Sequence, residues 1–346
     1  MQVKEVTIYD LAKIANVSAS TVSRALKDNP SVNELTKKKI IELSGALGYR
    51  PNRFASDLRS KKTNTIGVLV SKLNRDFLTS VLSGIEQEAT KAKYDVVISL
   101  SEESPEREVE QIAHLFNKRV DGLIVALSCN TNILSRFDVF SNKKMPVVFI
   151  DNVEEDGPGI KIMVDNYKAG YEAAVHLIQQ GCRNLMHVAG SLNKKSYSDR
   201  WKGYQSALSK FGLRCRKDDL LVSDFSEEDC ILIAQQIMQR KELPDGIFIA
   251  DDLCAALFTQ RFQRAGIKIP EDIALVGFNN DMVSWVVEPQ LTTFNYPGFE
   301  IGAKAAETLI EEINFGTTQE RYCIVMNSEL LVRASTTRTK SNKIKR

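Results

Sequence analysis

Apolar positions along this chain follow two different periods. In the first fifty residues they recur at helical spacing. Ile8, Leu11, Ala12 and Ala15 make one apolar face, Val22 and Leu26 face inward on a second short segment, and Ile40, Leu43 and Leu47 form the inward stripe of a third. From Thr65 onward short continuous apolar runs take over. They are Ile66–Val70, Asp95–Leu100, Gly122–Leu127, Val147–Ile150, Leu185–Ala189, Ile247–Ile249 and Ile273–Gly277, with helical segments between them such as 77–91 and the one opening at Ser104-Pro105-Glu106. Alternating strands and helices with fully apolar strands predict parallel sheets covered on both faces. Two successive series predict two similar subdomains. The expected fold is an N-terminal all-α head followed by an α/β body of two parallel-sheet subdomains.

The boundaries in the head carry chemistry. Thr7 with Asp10 three residues on reads as a capping box, and Ser18 caps the next helix. Asn16 falls at the turn, where a left-handed backbone is required. The second helix turns Ala19, Ser20, Ser23, Arg24 and Lys27 outward. Small outward residues let a helix press against base edges, Thr21 and Ser23 can donate to phosphates or bases, and Arg24 can bond a guanine through two donors. Two such helices across a tight turn describe a helix-turn-helix. The same pattern also fits an ordinary helical hairpin with a solvated face. Asn33 with Thr36 starts the third helix and Gly48 ends it.

Charge separates these alternatives. The 346 residues hold 46 Lys+Arg against 44 Asp+Glu, but the balance is uneven. Residues 1–62 carry 12 basic and 6 acidic side chains, residues 63–333 carry 29 and 38, and residues 334–346 carry 5 and none. A basic head on an acidic body predicts that one end meets a polyanion. The last segment is basic and nearly free of apolar residues, so its composition predicts a disordered tail.

Other classes find little support. No apolar run reaches the roughly 20 residues of a membrane span, and Met1 to Asp10 lacks a signal-peptide core. Six cysteines are scattered without a CxxC pair, which supports neither a zinc site nor a disulfide framework and fits a cytoplasmic protein. The phosphate-binding, nucleophile-elbow and zinc-protease motifs are absent, and His114, His176 and His187 have no ligand spacing. Neither metal nor cofactor is expected, and the expectation is that the chain is not an enzyme.

Pro51 breaks the chain after the head, and residues 52–60 can form about two helical turns, too few to hold alone in water. Here the sequence resembles the LacI/GalR family of bacterial transcription regulators. The resemblance rests on Thr-Ile-Tyr-Asp-Leu-Ala at 7–12, Val-Ser-Ala-Ser-Thr-Val-Ser-Arg-Ala-Leu at 17–26, Gly-Tyr-Arg-Pro-Asn at 48–52 and the segment Ala55 to Leu58. It extends through Asp165–Gly170, Arg200–Tyr204, Pro270–Asn280, Pro289–Thr293 and Val332–Ser335.

The resemblance implies a homodimer on a palindromic operator, with Leu58 as a wedge in the minor groove. The candidate DNA-contacting residues are Thr7, Ile8, Ser18, Ala19, Ser20, Thr21, Ser23, Arg24, Lys27, Asn52, Ala55 and Leu58. It also implies a periplasmic-binding-protein-like body with three crossovers and a small-molecule effector, a sugar or sugar derivative, in the cleft. The expected division is a head at 6–50, a hinge at 51–62, a body at 63–333 and a tail at 334–346. The first subdomain takes about 63–164 and 294–325, the second about 165–293 and 326–333.

Residues at the carboxyl ends of strands line such a cleft. Ser71 with Asn74, Ser99 with Ser101, Ser128, Asp151, Asp165, Asp251 and Asn279 are the polar candidates at those ends; the resemblance implies that Arg200, Asp251 and Asn279 bind the effector, and Phe77, Phe278 and Trp285 can supply an apolar wall. The family often opens the first body helix with Asn-Pro-Phe-Phe; here the register reads Arg75-Asp76-Phe77-Leu78. Asp251 stands where Asn is frequent, which disfavours an anionic effector. The leucine heptads by which one member of the family forms tetramers do not follow Arg333, so a tetramer by that route is not expected. The competing reading is a solute-binding protein without a regulatory role.

Overall fold

The computed structural model describes residues 6–49, 62–71, 76–127, 134–151, 159–316 and 322–338, and the chain divides into two units, 1–63 and 64–346. In the first unit, helices α1 (Ile8–Ala15), α2 (Ala19–Leu26) and α3 (Glu34–Ala46) enclose Leu11, Val22, Ala25 and Ile40. The capping box forms: the Thr7 amide donates to the Asp10 carboxylate at 2.8 Å and the Asp10 amide donates to the Thr7 hydroxyl at 3.4 Å. Asn16 takes the left-handed conformation at φ 58°. Ser18 and Asn33 cap the next two helices. One expectation fails: Leu47 is exposed, because α3 stops at Ala46 and Leu47 belongs to the cap instead of the inward stripe. Across the surface of this unit, Lys37 reaches Asp28 and Glu34 at 2.8 and 2.9 Å and ties α3 to the turn before it.

The second unit runs β1 (Thr65–Val70), α4 (Asp76–Lys91), β2 (Asp95–Leu100), α5 (Pro105–Asn117), β3 (Gly122–Ala126), α6 (Asp138–Ser141), β4 (Val147–Ile150) and β5 (Ile160–Val164). It continues through α7 (Asn166–Gln179), β6 (Leu185–Ala189), α8 (Lys195–Lys210), β7 (Leu220–Val222), α9 (Glu227–Met238), β8 (Gly246–Ile249), α10 (Asp252–Arg264) and β9 (Ala274–Val276). It closes with α11 (Val283–Val286), β10 (Thr293–Asn295), α12 (Gly298–Phe315), β11 (Cys323–Met326) and β12 (Glu329–Leu331).

Two parallel sheets result. The first has the order β11-β5-β4-β3-β1-β2 and the second β7-β6-β8-β9. Strand β10 pairs antiparallel with β12 in a short ribbon between them. The chain passes between sheets at 164–165, again through β10 toward α12, and a third time between β11 and β12. One apolar cluster runs continuously from the first sheet through Phe278, Phe294 and Tyr296 to the second. This continuity makes the two subdomains a single unit while leaving a cleft where the carboxyl ends of their strands face each other.

Residues 334–338, assigned to the tail on composition, pack on the body. Ser335 and Thr336 are fully buried. The Ser335 hydroxyl donates to the Leu275 carbonyl at 2.6 Å and accepts from the Thr292 amide at 2.8 Å. Arg338 donates to the carbonyls of Pro270 and Asp245 at 2.8 and 2.6 Å. Short hydroxyl side chains here satisfy backbone groups beside β9, a role that net charge does not reveal.

Candidate functional site

In the head, α2 presents Ser20, Arg24 and Lys27 fully outward, with Ala19, Thr21 and Ser23 half-buried at the margins of that face. The Ser18 hydroxyl accepts from the Thr21 amide at 3.1 Å and lies 2.8 Å from the hydroxyls of both Ser20 and Thr21. Arg24 folds back along its helix and donates from Nε to the Ser20 carbonyl at 3.3 Å. This bond is local and exposed, so little opposes its exchange for a base. Thr7 is exposed with its hydroxyl given to Asp10, and Ile8 is half-buried. The sequence reading passed over Tyr9, which is mostly exposed on α1. Asn52, Ala55 and Leu58 lie outside the described residues.

The body cleft has about 790 Å³ of empty space open to solvent. Ser71, Phe77, Asp151, Arg200 and Asn279 of the expected set line it. Arg200 is the best-held. It is buried on α8, its Nε donates to Asn166 Oδ1 at 2.7 Å, and its guanidinium lies 3.6 Å above the Phe278 ring. Asn166, the first residue of α7, is fixed in turn by donating to the Val164 carbonyl at 3.2 Å. Asp151 has φ 66° at the end of β4, and its carboxylate accepts from the Tyr296 hydroxyl at 2.6 Å. Burial, and then the neighbouring Asp151, hold the Tyr296 phenol well above its usual range, so it remains a donor.

Asn279 sits on a turn where it and Asn280 have φ 110° and 60°. Buried Asp252 braces this turn by accepting from the Asp281 amide at 2.9 Å and the Thr293 hydroxyl at 2.8 Å. Burial pushes the Asp252 carboxyl well up. A Cβ on Gly277 would run into that carboxylate.

Other expected residues stand elsewhere. Asp251 caps α10 by accepting from the Cys254 amide at 2.9 Å and does not line the cleft. Phe278 lies wholly beneath Arg200 and supports it without reaching the cleft surface. Trp285 is no wall of the cleft: it is half exposed, donates from Nε1 to Asn280 at 3.1 Å and stacks under Arg333 at 4.0 Å. Ser99, Ser101 and Asp165 also stay off the lining. Asn74 and Ser128 lie outside the described residues.

The sequence reading missed Tyr296, Tyr197, Ser196, Glu103 and Lys194, all of which line the cleft. Tyr296 follows a three-residue strand with no apolar run to mark it. The other four sit at helix starts or turns, where only the fold brings them together.

Cleft and head together suit recognition of a small polar molecule in one part and of a duplex in the other. Residues 63–331 match the family described as periplasmic binding proteins and sugar binding domain of LacI family, and residues 7–52 match the bacterial regulatory proteins of the lacI family. The chain belongs to the LacI family. It is therefore a DNA-binding transcription regulator with a ligand-binding body, and the helix-turn-helix match overturns the reading as a mere solute-binding protein.

Among relatives, the chain is 33% identical to catabolite control protein A of Priestia megaterium over 89% of its own length and 93% of that protein's. It superposes on the lac repressor dimer bound to operator and the anti-inducer ONPF with TM-score 0.87, at 25% identity, covering 96% of this chain and 99% of that one. It also superposes on a LacI-family regulator from Enterococcus faecium with bound ribose, with TM-score 0.70 and 25% identity, over 80% of this chain and all of the other. Among the described residues no helix is long and apolar enough to cross a membrane.

Proposed function

We propose that this regulator acts in the cytoplasm as a homodimer on a near-palindromic operator, and that a small polyhydroxylated effector, a sugar or sugar derivative, binds the body cleft and sets operator affinity. The observation that carries the effector class is the lining itself. A planar guanidinium, a carboxylate and a carboxamide converge beside the aromatic rings of Phe77, Tyr197 and Tyr296. Planar polar groups pair with vicinal hydroxyls, and rings cover the apolar face of a sugar. An apolar ligand would strip water from the donors and acceptors these groups still turn to the cleft, at a cost of about 1–3 kcal/mol each. The ribose-bound and operator-bound relatives agree with this assignment of roles to body and head.

The effector is bound and released unchanged, and it acts by population shift: it must bind one arrangement of the subdomains better than the other. On DNA, the outer face of α2 supplies base contacts through Arg24, Asn52 and Ala55 add DNA contacts, and Leu58 is the minor-groove wedge at the operator centre. Titration calorimetry with a panel of neutral sugars, sugar acids and sugar phosphates tests the effector assignment. The expected result is saturable one-site binding of one class that is lost in Arg200→Ala. Equal affinity in the parent and in Arg200→Ala would remove the cleft from the account.

A further inference from the structure

Glu103 and Lys194 stand on opposite walls of the cleft and meet across it. Glu103 belongs to the turn between β2 and α5 of the first subdomain, and Lys194 precedes α8 of the second. Both carboxylate oxygens lie 3.0 Å from Nζ. The turn that carries Glu103 is sharply bent. Glu102 and Glu103 both have positive φ, 52° and 61°, a conformation that ordinary residues adopt only when the surroundings impose it. Backbone bonds hold the bend, from the Glu102 amide to the Ser71 carbonyl at 2.8 Å and from the Ser104 amide to the Ser101 carbonyl at 3.0 Å.

We infer that Glu103 and Lys194 form a charge-selecting pair that admits neutral effectors to the cleft and turns anionic ones away. This rests on the reading of the cleft as the effector site. Among the described lining residues the charged groups are Glu103, Asp151, Lys194 and Arg200, two of each sign. Asp151 is engaged by the Tyr296 hydroxyl and Arg200 by Asn166. A neutral polyol meets a site whose charges balance. An anion drawn to Lys194 would have to break the two-oxygen contact and leave the Glu103 carboxylate facing a like charge in a half-enclosed space, where charges act more strongly than in water. Because the partners come from different subdomains, the pair also forms only when the walls stand as close as they do here.

Inorganic phosphate is a probe that does not depend on knowing the effector. Thermal shift at constant ionic strength, with chloride as the balancing anion, reads its binding to the full-length protein. Glu103→Gln should bind phosphate on the order of tenfold more tightly than the parent, since Lys194 then faces the cleft uncompensated. The gain should vanish in Glu103→Gln/Lys194→Met. Circular dichroism and the melting temperature without phosphate report that each variant folds. The charge swap Glu103→Lys/Lys194→Glu, which rebuilds the pair, should behave like the parent. Equal phosphate affinity in the parent and Glu103→Gln, or a gain that persists in the double variant, overturns the inference. A phosphate gain as described, with no sugar of any class bound by the parent, would leave the pair standing and remove the carbohydrate reading instead.

Discussion

Asn166 orients Arg200: the Arg200 Nε donates to its carboxamide oxygen at 2.7 Å. The helices that carry the two residues touch backbone to backbone. A Cβ on Gly170 would collide with the Arg200 carbonyl oxygen, and one on Gly203 with the Tyr167 carbonyl oxygen. The position of the guanidinium thus depends on two glycines that never meet the ligand.

Two substitutions separate position from presence. Gly170→Ala must push α8 off α7 and should cost about 1–3 kcal/mol of stability, read by urea denaturation. Asn166→Ala keeps the fold and the guanidinium but releases Nε, so effector affinity should fall severalfold while operator binding without effector stays near the parent value. Undiminished effector affinity in Asn166→Ala would mean that the Phe278 stacking alone holds Arg200.

Stability should fall as the medium becomes mildly acidic because of His187. This residue is wholly buried on β6, stacked 4.5 Å from Phe248, and Nδ1 meets the Phe248 carbonyl at 2.9 Å. Burial first, with Arg200 adding to it, lowers its pKa from 6.5 to about 3. The folded state keeps the ring neutral, whereas the unfolded chain takes up a proton below 6.5. The contribution to stability is full above that pH and is lost progressively toward 3, at up to about 1.4 kcal/mol per pH unit. Buried His176 is lowered in the same direction and adds to the slope. Denaturation between pH 7 and 5 should show a shallower loss in His187→Phe; an unchanged slope would assign the pH dependence to other groups.

Chain ends test the limit of the body. Removal of residues 339–346 should leave the melting temperature near that of the full chain. Removal of residues 334–346 strips Ser335, Thr336 and Arg338 from their partners and should cost about 3–9 kcal/mol, given about 0.5–1.5 kcal/mol for each of the six side-chain hydrogen bonds they make. Equal melting temperatures for the two truncations would contradict the packing of 334–338.

The head makes its own prediction. Arg24→Ala should lose about 1–3 kcal/mol per base contact and relax preference at one position in each half-site. Anisotropy titration against a set of single-position operator variants, at fixed salt, reads both effects. A uniform loss across all variants would make Arg24 a phosphate contact instead.

Particular residues show what the sequence disclosed. Thr7, Asn16 and Ser18 announced the head because capping is decided by neighbours three or four residues away. The strands from Thr65 to Ile150 were plain for a similar reason, since unbroken apolar runs need no partner to be recognised. Strand β5 was not, because Lys161 interrupts Ile160–Val164 and only the assembled sheet shows it buried between β4 and β11. In the cleft, Asn279 stood at a strand end and Arg200 in a run that resembles the family's. Asp251 occupied an equally suggestive position, yet its carboxylate caps α10. Tyr296, Glu103 and Lys194 are far apart in the chain and owe their role to the crossovers, which no local pattern encodes.

Operator affinity measured with and without a cleft ligand tests the central claim most directly. The near-palindromic duplex selected by the parent is titrated by fluorescence anisotropy at fixed salt, in the presence of each carbohydrate of the panel. The account predicts that one class shifts operator Kd by roughly 5–150-fold in the parent, the usual range of such coupling, and leaves it unmoved in Arg200→Ala, which still binds the duplex. A ligand that fills the cleft yet leaves operator affinity unchanged, or shifts it equally in Arg200→Ala, would contradict the account.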